Sequence, residues 1–506
     1  MPRPNVLLVV ADQLAAAALA PYGNRAVRAP HIAGLAERGV LFERAYCNYP
    51  LCAPSRASML TGRLPSRLGV YDNAAEFPAS YPTVAHHLRL AGYRTCLAGK
   101  MHFVGPDQLH GFEERVTTDV YPAGFGWTPD WDLPEGERLE WYHTAESVLE
   151  AAPRPWSLQL DFDEEVAFRA RRRLYDLARD DDERPFFLTV GFTHPHDPWE
   201  LPRSYWERYD AAAIDMPEVP SLPLDRMDPQ TRRALQVSGL DTREISPEQV
   251  RVARHAYYAA VSYLDDKVGE LLEVLQATGR SADTVVVLTS DHGDMRGERG
   301  LWYKMSFFEG SARVPLIVCA PDRFAPRRVA GNVSLVDLLP TLVELGEGEA
   351  QDTPVDPLDG DSLLPLLRGE EPRGPDTVCA EYLGEGVDRP SVMVRRGRFK
   401  LLHYEGEDDQ LFDVVADPLE LEDLAGRPEH AEVLADLRAE VAARWDLPRL
   451  RDDVRASQRR RRVVARALAT GRPTRWDYVP PDDGAERFIH TGVEFWEQTQ
   501  RGTFDT

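Results

Sequence analysis

Buried strands that alternate with helices restrict the fold of this chain more than any other feature. The run Asn5-Val6-Leu7-Leu8-Val9-Val10-Ala11 is apolar at nearly every position, which is typical of a central strand in a parallel sheet. Further strands are predicted at 93–98, 185–192, 284–288 and 315–319, and helices at 83–90, 163–179, 247–275 and 335–345. This alternation predicts an α/β fold with a large, doubly wound mixed sheet flanked by helices.

A change of pattern near residue 372 predicts a second, smaller layer. Short antiparallel strands are expected at 378–382, 391–395 and 399–403, followed by a helix at 429–445. We therefore expect a main domain over 1–371, a small α+β subdomain over 372–450 and a C-terminal extension over 451–506 that contacts a neighbouring subunit and lies at the rim of the active site. The stretch 210–241, which lies between the helices predicted at 163–179 and 247–275, is Pro-rich and is expected to be irregular.

The C-terminal extension has two features of its own. Arg459-Arg460-Arg461-Arg462 is interpreted as a solvated helix face or a subunit contact. The aromatic residues Phe488, Phe495 and Trp496 predict that the end of the chain docks on another surface, and a neighbouring subunit is the surface expected. The protein is therefore expected to be a homo-oligomer, a dimer or a tetramer.

Charge and composition argue against several classes of partner. A net charge of −24 disfavours nucleic acid and would repel a purely anionic substrate, whereas a zwitterion avoids that repulsion. No apolar run approaches the roughly 20 residues that a membrane span needs. The five cysteines fit neither a disulfide framework nor a zinc pattern. We expect a cytoplasmic protein with no nucleic-acid or membrane partner.

Polar residues follow four of the predicted strands. They are Asp12 and Gln13, Lys100 and His102, His194 and His196, and Asp291 and His292, with Lys304 in a later Gly-rich stretch. In open α/β sheets, ligands bind at the carboxyl ends of the strands. The oxygen donors among these residues suit Ca²⁺ or Mg²⁺ better than zinc. The lysines and histidines would neutralise a charged ester and transfer protons, although any one of them alone also fits a helix cap or a surface residue.

The stretch Leu51 to Arg63 predicts an anion-binding helix start. Pro54 and Ser55 suit the first turn of a helix, and Gly62 suits its end. Cys52 is thus expected just before a helix N-terminus and close to the Arg56 guanidinium. A lone cysteine is more often a small buried apolar residue. For Cys52, the neighbouring Pro54, Ser55 and Arg56 are what indicate a functional role.

Cys52-x-Pro-Ser-Arg56, followed by x-x-x-Leu-Thr-Gly-Arg63, resembles the signature of the formylglycine-dependent sulfatases of the alkaline phosphatase superfamily. The resemblance implies that a formylglycine-generating enzyme oxidises Cys52 to formylglycine, and that Arg56 supports it. It implies one divalent metal, Ca²⁺ in preference to Mg²⁺ or Mn²⁺. The ligands implied are Asp12, Gln13, Asp291 and His292. The sulfate-binding and acid–base residues implied are Lys100, His102, His196 and Lys304.

Gln13 and His292 depart from the Asp and Asn that many sulfatases carry, and several loops resemble one branch of the family. The segments 70–76, 100–115, 125–130 and 297–304 resemble those of choline sulfatases. This resemblance implies hydrolysis of choline O-sulfate, a zwitterion, to choline and inorganic sulfate. Asn73 would contact the sulfate. A trimethylammonium group needs an aromatic face or a carboxylate, and Trp127 and Glu381 are the residues expected to supply them.

Three other functions remain open from the sequence. A phosphonate or phosphate ester hydrolase would use the same fold and nearly the same residues. A broader alkyl or aryl sulfatase would share the catalytic centre but not the choline contacts. A non-catalytic protein that binds quaternary ammonium compounds would keep an unmodified Cys52, so the mass of the peptide that contains Cys52 discriminates it.

Overall fold

The computed structural model describes residues 3–134, 143–347 and 355–481; Phe488, Phe495 and Trp496 lie outside them. The strands are β1 Asn5–Asp12, β2 Val40–Tyr46, β3 Arg94–Gly99, β4 Glu114–Arg115, β5 Ala152–Pro153, β6 Phe186–Pro195, β7 Glu200–Leu201, β8 Thr284–Ser290, β9 Arg313–Cys319, β10 Arg327–Ser334, β11 Thr377–Tyr382, β12 Ser391–Arg396, β13 Phe399–Tyr404 and β14 Gln410–Asp413.

The helices lie between and around these strands. They are α1 Pro30–Arg38, α2 Cys52–Thr61, α3 Pro65–Leu68, α4 Val84–Leu90, α5 Glu146–Leu149, α6 Leu158–Arg179, α7 Arg203–Trp206, α8 Pro229–Val237, α9 Pro247–Ala277, α10 Glu309–Ala312, α11 Leu338–Glu347, α12 Leu364–Arg368, α13 Ala431–Arg444 and α14 Leu447–Ala469. None of the helices in the described ranges has the length and apolar character needed to cross a membrane.

The main sheet has eight strands in the order β10-β2-β9-β8-β1-β6-β3-β4. β9 runs antiparallel to both of its neighbours, β2 and β8. The other neighbouring pairs are parallel. The predicted mixed α/β sheet is therefore confirmed, and its central strands β8, β1 and β6 end at the same edge.

The two faces of β1 explain why its sequence is apolar throughout. Leu7 and Val9 pack into the core that contains α1, α6 and α9. Val6 and Leu8 pack into the core on the opposite face, with α2, α4 and α11. Successive side chains of a strand point to opposite faces, so a strand covered on both faces needs apolar residues at every position. Burial stabilises each of these side chains by about 1.5–3 kcal/mol.

The C-terminal part forms a second sheet, which is antiparallel and has the order β11-β12-β13-β14. It is joined to the main sheet, since the Glu381 N–H donates to the Asn48 carbonyl at 2.9 Å. After α13, the chain returns to the main domain along α14, where the Gln458 side chain accepts a hydrogen bond from the Trp131 N–H at 2.9 Å. α14 therefore reaches the loop that carries Trp127.

Some elements differ from the sequence-based expectation. α8 lies inside the stretch expected to be irregular, although Asp228 caps it and Pro229 begins it. β2 and β10 were not predicted, because Glu43 and Arg44 interrupt the apolar run of β2 and half-exposed residues interrupt that of β10. Charged residues inside a strand hide its period from sequence analysis.

Candidate active site

The start of α2 holds Cys52 at the centre of the molecule. Leu51 has an extended backbone (φ −162°, ψ 147°), and Cys52 is itself the first helical residue, one position earlier than expected. The Ala53 N–H donates to Asn73 Oδ1 at 2.9 Å, which satisfies one of the free amides of the helix start. Gly62 ends the helix in the left-handed region, at φ 66°.

Cys52 and three side chains around it have the arrangement of a metal site. The ligand atoms of Asp12, Cys52, Asp291 and His292 all lie within 4.8 Å of one another, and all four residues are buried. His292 Nδ1 lies 3.1 Å from the Gly293 carbonyl, and its Nε2 lies 3.3 Å from Cys52 Sγ. Burial lowers the pKa of His292 to about 4, so its imidazole is neutral. Two carboxylates and a neutral imidazole whose Nδ1 is held by a backbone carbonyl fit a divalent cation.

Arg56 holds the two carboxylates in place. Its Nε donates to Asp291 Oδ2 at 2.8 Å, and its Nη2 donates to Asp12 Oδ2 at 3.1 Å. Asp12 also forms an ion pair with Lys100. Although burial opposes ionisation, the positive charges of Lys100 and Arg56 keep the pKa of Asp12 well below its usual value. The Asp12 carboxylate is therefore ionised, as cation binding requires.

The Cys52 thiol itself is a poor nucleophile in this environment. Burial, followed by the charge of Asp12, raises its pKa to about 11, against the opposing effect of Lys100. At neutral pH the thiol is protonated, and only the thiolate is strongly nucleophilic. The arrangement thus suits a chemically modified side chain at this position better than the thiol.

Gln13 lies beside the cluster and connects it to Lys304. Its backbone is in the left-handed region, at φ 65°, and its N–H donates to Asp291 Oδ1 at 3.1 Å. Its side-chain oxygen accepts a hydrogen bond from Lys304 Nζ at 2.6 Å, and its Nε2 donates to Asp294 Oδ2 at 2.6 Å. The role of Gln13 as a metal ligand stays a prediction. Asp294, three residues after Asp291, is a partner that the sequence analysis missed.

Lys304 and His196 are both buried and are in direct contact. Lys304 Nζ lies 2.9 Å from His196 Nε2, and His196 Nδ1 lies 2.5 Å from the Asp197 carbonyl. Burial and the charge of Lys304 hold the pKa of His196 well below its usual value. His196 is therefore neutral, and its Nε2 accepts a hydrogen bond from Lys304 Nζ.

His102 has a buried imidazole that lacks a protein partner. Its side chain is 3% exposed, and within the described ranges neither ring nitrogen has a hydrogen-bond partner. Burial, followed by the charge of Lys100, lowers its pKa to about 3. A buried polar group without a partner indicates a place for a bound molecule. The segment does not continue β3 as an extended strand, since His102 has φ 56° and Gly99 has φ 90°.

An aromatic wall stands next to His102. The Trp127 ring meets the His102 ring edge-on, with centroids 6.0 Å apart, and lies 5.2 Å from the Tyr121 ring. Lys100 Nζ is 4.1 Å from the centre of the Tyr121 ring. Trp127 is half-buried, so part of its surface remains open. Tyr121 was not singled out from the sequence, where the only signal was its place in the same aromatic-rich loop.

Arg461 of α14 ties together the two loops that carry Asn73 and Trp127. Its Nη1 and Nη2 donate to Asp72 Oδ1 and Oδ2 at 2.8 and 2.6 Å. Its Nη1 also donates to Thr128 Oγ1 at 3.1 Å. Asp72 directly precedes Asn73, and Thr128 directly follows Trp127.

This geometry corrects the interpretation of the arginine run. Arg461 is 5% exposed and points into the molecule, whereas Arg459 and Arg462 form ion pairs with Asp132 and Asp130 at the surface. A bidentate, buried ion pair is a specific contact, so this part of the run is neither a solvated face nor a subunit contact. No local pattern in the run indicates which arginine turns inward.

Glu381 is engaged within the protein. Its Oε2 accepts a hydrogen bond from the Ser66 N–H at 2.8 Å, and its Oε1 accepts from Ser66 Oγ at 2.5 Å and from Trp445 Nε1 at 2.6 Å. These bonds join α3 to the end of α13 and favour a structural role. Its assignment as a choline contact stays a prediction. Glu385, which is 4% exposed, is a second buried acid on this segment that the sequence analysis missed.

Three family models match parts of this chain. Residues 4–348 match the family model described as "Sulfatase". Residues 297–445 match "N-sulphoglucosamine sulphohydrolase, C-terminal". Residues 452–501 match "Choline sulfatase enzyme C terminal". The last of these matches includes Arg461.

One curated relative and two solved structures are also similar to this chain. A choline-sulfatase from Rhizobium meliloti (strain 1021) is 45% identical over 99% of this chain and 98% of its own. A phosphonate monoester hydrolase from Silicibacter pomeroyi is 25% identical, with a TM-score of 0.69 over 87% of this chain and 94% of its own. That of Agrobacterium radiobacter is 24% identical, with a TM-score of 0.68 over 89% and 96%, and supports the fold alone.

Proposed function

The chain belongs to the sulfatase family, and on that premise we propose that it hydrolyses choline O-sulfate to choline and inorganic sulfate. The observation that carries the choline assignment is the aromatic wall of Trp127 and Tyr121 beside the partnerless ring of His102. A trimethylammonium group donates no hydrogen bonds and is attracted to an aromatic face, by about 0.5–2 kcal/mol. The identity to a choline-sulfatase over almost the whole chain supports the same assignment.

The residues that follow β1, β3, β6 and β8, together with Lys304, have separate roles in the proposed reaction. Lys100 and Lys304 neutralise the sulfate oxygens. The proton held between Lys304 and His196 goes to the oxygen of the departing choline. His102 is neutral and takes a proton in the second half of the cycle, before sulfate leaves. Proton transfer of this kind contributes about 10²–10⁴-fold to a rate.

Two groups complete the proposed centre. Oxidation of Cys52 by a formylglycine-generating enzyme would supply an aldehyde hydrate, whose hydroxyl is the nucleophile. A divalent cation held by Asp12, Asp291 and His292, with Gln13 beside them, would polarise the nucleophile and a sulfate oxygen. The hard carboxylate oxygens favour Ca²⁺, with Mg²⁺ or Mn²⁺ as alternatives. We also propose a cytoplasmic homo-oligomer; five separate buried thiols suit a reducing compartment.

The choline assignment is tested with a matched pair of substrates. In 3,3-dimethylbutyl sulfate, carbon replaces the nitrogen of choline sulfate, so shape is kept and charge is removed. We expect a higher kcat/KM for choline sulfate. We expect Trp127→Ala to lower that preference by about twofold to thirtyfold, the range that corresponds to the loss of one cation–π contact.

A control separates this effect from general damage. Trp156 is 55% exposed, and Trp156→Ala should leave the preference unchanged. Equal efficiency of the wild-type protein on the two esters would contradict recognition of the charge. An equal loss on both esters in the Trp127 variant would show that this ring only packs within its loop.

A phosphonate or phosphate ester hydrolase is the second function considered. It is favoured by the similarity to the phosphonate monoester hydrolase structure that is 25% identical. The anionic ester and metal requirements are nearly the same, so some activity on such esters is expected. A kcat/KM on a phosphonate monoester above that on choline sulfate would reverse the assignment.

A further inference from the structure

A small cavity between the two sheets has an excess of positive charge. It has a volume of about 260 Å³, and its lining includes none of the residues described for the catalytic centre. Its charged lining consists of four arginines and two glutamates, a balance of +2 in a chain whose net charge is −24. They are Arg44, Arg313, Arg328, Arg395, Glu43 and Glu309.

Both glutamates are already bound to other cations. Glu43 Oε1 accepts a hydrogen bond from Arg328 Nε at 2.7 Å. Glu309 Oε1 accepts from Lys400 Nζ at 2.9 Å and from the Tyr46 hydroxyl at 3.0 Å. Glu420, next to this cavity, forms an ion pair with the same Lys400. With Lys400 and Glu420 included, the local balance of charge around the cavity therefore stays at +2.

Three guanidinium groups are left with spare donors. Among the described residues, the side chain of Arg44 makes neither a hydrogen bond nor an ion pair. In the same ranges, the guanidinium of Arg313 has no carboxylate within 4.0 Å, and its Nε donates to the Glu43 carbonyl at 2.9 Å. Arg395 is 1% exposed. Its Nε donates to the Gly397 carbonyl at 3.3 Å, and its Nη1 lies 3.6 Å from Glu309 Oε1.

The charge of Arg395 is held under unfavourable conditions. Burial, followed by the like charge of Arg44, lowers its pKa to about 9, in spite of Glu420 and Asp413. Its two terminal nitrogens donate no hydrogen bond to any residue in the ranges described. A buried cation that lacks a full partner is strongly unfavourable, and a bound anion removes that penalty.

We propose that this cavity is a binding site for a compact tetrahedral oxyanion, of the sulfate or phosphate class, held by Arg44, Arg313 and Arg395. Guanidinium forks bind the oxygens of such ions in pairs. Arg44 lies on β2, Arg313 begins β9 and Arg395 lies on β12, so the ion joins the C-terminal sheet to the main sheet. The site is independent of the proposed activity on choline sulfate.

Isothermal titration calorimetry of the full-length protein tests the site, with inorganic sulfate in one arm and inorganic phosphate in the other. Because the proposed catalytic centre would bind these ions too, the readout is the difference between wild type and variant. We expect Arg44→Gln and Arg395→Gln to remove one binding event, or to weaken it at least tenfold. The tighter of the two ions identifies which oxyanion the cavity prefers.

Arg38 is exposed and lies outside the cavity, so Arg38→Gln is the control for the loss of one positive charge. It should bind both ions as the wild type does. Arg44 is only partly buried, which keeps the test valid if Arg395→Gln does not fold. Inhibition of ester hydrolysis by sulfate should be the same in Arg44→Gln and wild type. Identical titrations of wild type and Arg44→Gln would overturn the proposal.

Discussion

The single side chains of the catalytic centre are stabilised by opposite charges placed between them. Asp12 and Asp291 are completely buried, and Arg56 donates to both. Removal of one partner of a buried ion pair leaves a charge without compensation, which costs about 3–5 kcal/mol. An ion pair at the surface contributes about 0–1 kcal/mol. Two arginines of the α2 region allow these magnitudes to be compared directly.

Arg56→Met should lower the free energy of unfolding by about 3–5 kcal/mol, since two buried carboxylates lose their shared donor. The measurement is urea unfolding in the presence of a chelator, so that a bound cation does not substitute for the arginine. The control is Arg63→Met, whose partner Asp356 is 45% exposed, and about 0–1 kcal/mol is expected there. Similar losses in the two variants would contradict the electrostatic account of α2.

At the scale of elements, the sequence specified most of what positions the site. β1, β6, β8 and α9 lie within a few residues of their predicted ranges, because continuous apolar runs and helix caps are local signals. Asp12, Asp291 and His292, which follow β1 and β8, lie around Cys52, whereas His194 at the end of β6 contacts Asp163 of α6. Local signals are enough here, because the parallel strands bring their carboxyl ends together.

What the sequence could not specify depends on contacts between distant segments. The positive φ of His102 has no local signal, since residues other than glycine rarely adopt it. Which arginine of the run 459–462 turns inward depends on Asp72, which is 389 residues away from Arg461. Glu381 was expected at the substrate, but its partners Ser66 and Trp445 come from two other elements.

The contact of α14 with the loops predicts an effect on substrate recognition. Arg461→Gln should raise KM for choline sulfate at least tenfold and change kcat less, because Asn73 and Trp127 lose the group that fixes their loops. Efficiency on 4-nitrophenyl sulfate should fall less, since that ester does not need the aromatic wall. Steady-state kinetics on both esters give the measurement.

Arg459→Gln is the matched control, on the same helix and with a surface partner in Asp132; it should resemble the wild type. Arg461→Lys should recover part of the KM effect, since one bond to Asp72 can form. If Arg461→Gln lowered kcat on both esters by the same factor, with KM unaltered, the loops would not be what this arginine positions.

The whole molecule is strongly acidic, with a net charge of −24, while Arg56, Lys100 and Lys304 place positive charge at the catalytic centre. Long-range repulsion therefore acts on an approaching anion, and a zwitterion has no net charge to be repelled. Salt screens such repulsion, because the Debye length falls from about 30 Å at about 0.01 M to about 8 Å at about 0.15 M.

Substrate charge should therefore decide the salt dependence of kcat/KM. Between about 0.01 and about 0.15 M salt, we expect efficiency on the anionic 4-nitrophenyl sulfate to rise severalfold. Efficiency on choline sulfate should change by less than about twofold. Steady-state rates over a series of sodium chloride concentrations provide the comparison. Parallel salt curves for the two esters would show that the overall charge does not influence substrate approach.

In the proposed reaction, the protein hydrolyses choline O-sulfate only when Cys52 has been oxidised. Conversion of Cys52 and release of sulfate can be measured together. The mass of the peptide containing Cys52 gives the fraction in which an aldehyde replaces the thiol, and sulfate release from choline sulfate is measured on the same preparations. We expect release to be proportional to that fraction and absent in Cys52→Ala, whose Tm should stay close to the wild-type value. Fully converted protein that releases no sulfate from choline sulfate, or an alanine variant that turns over normally, would contradict the account.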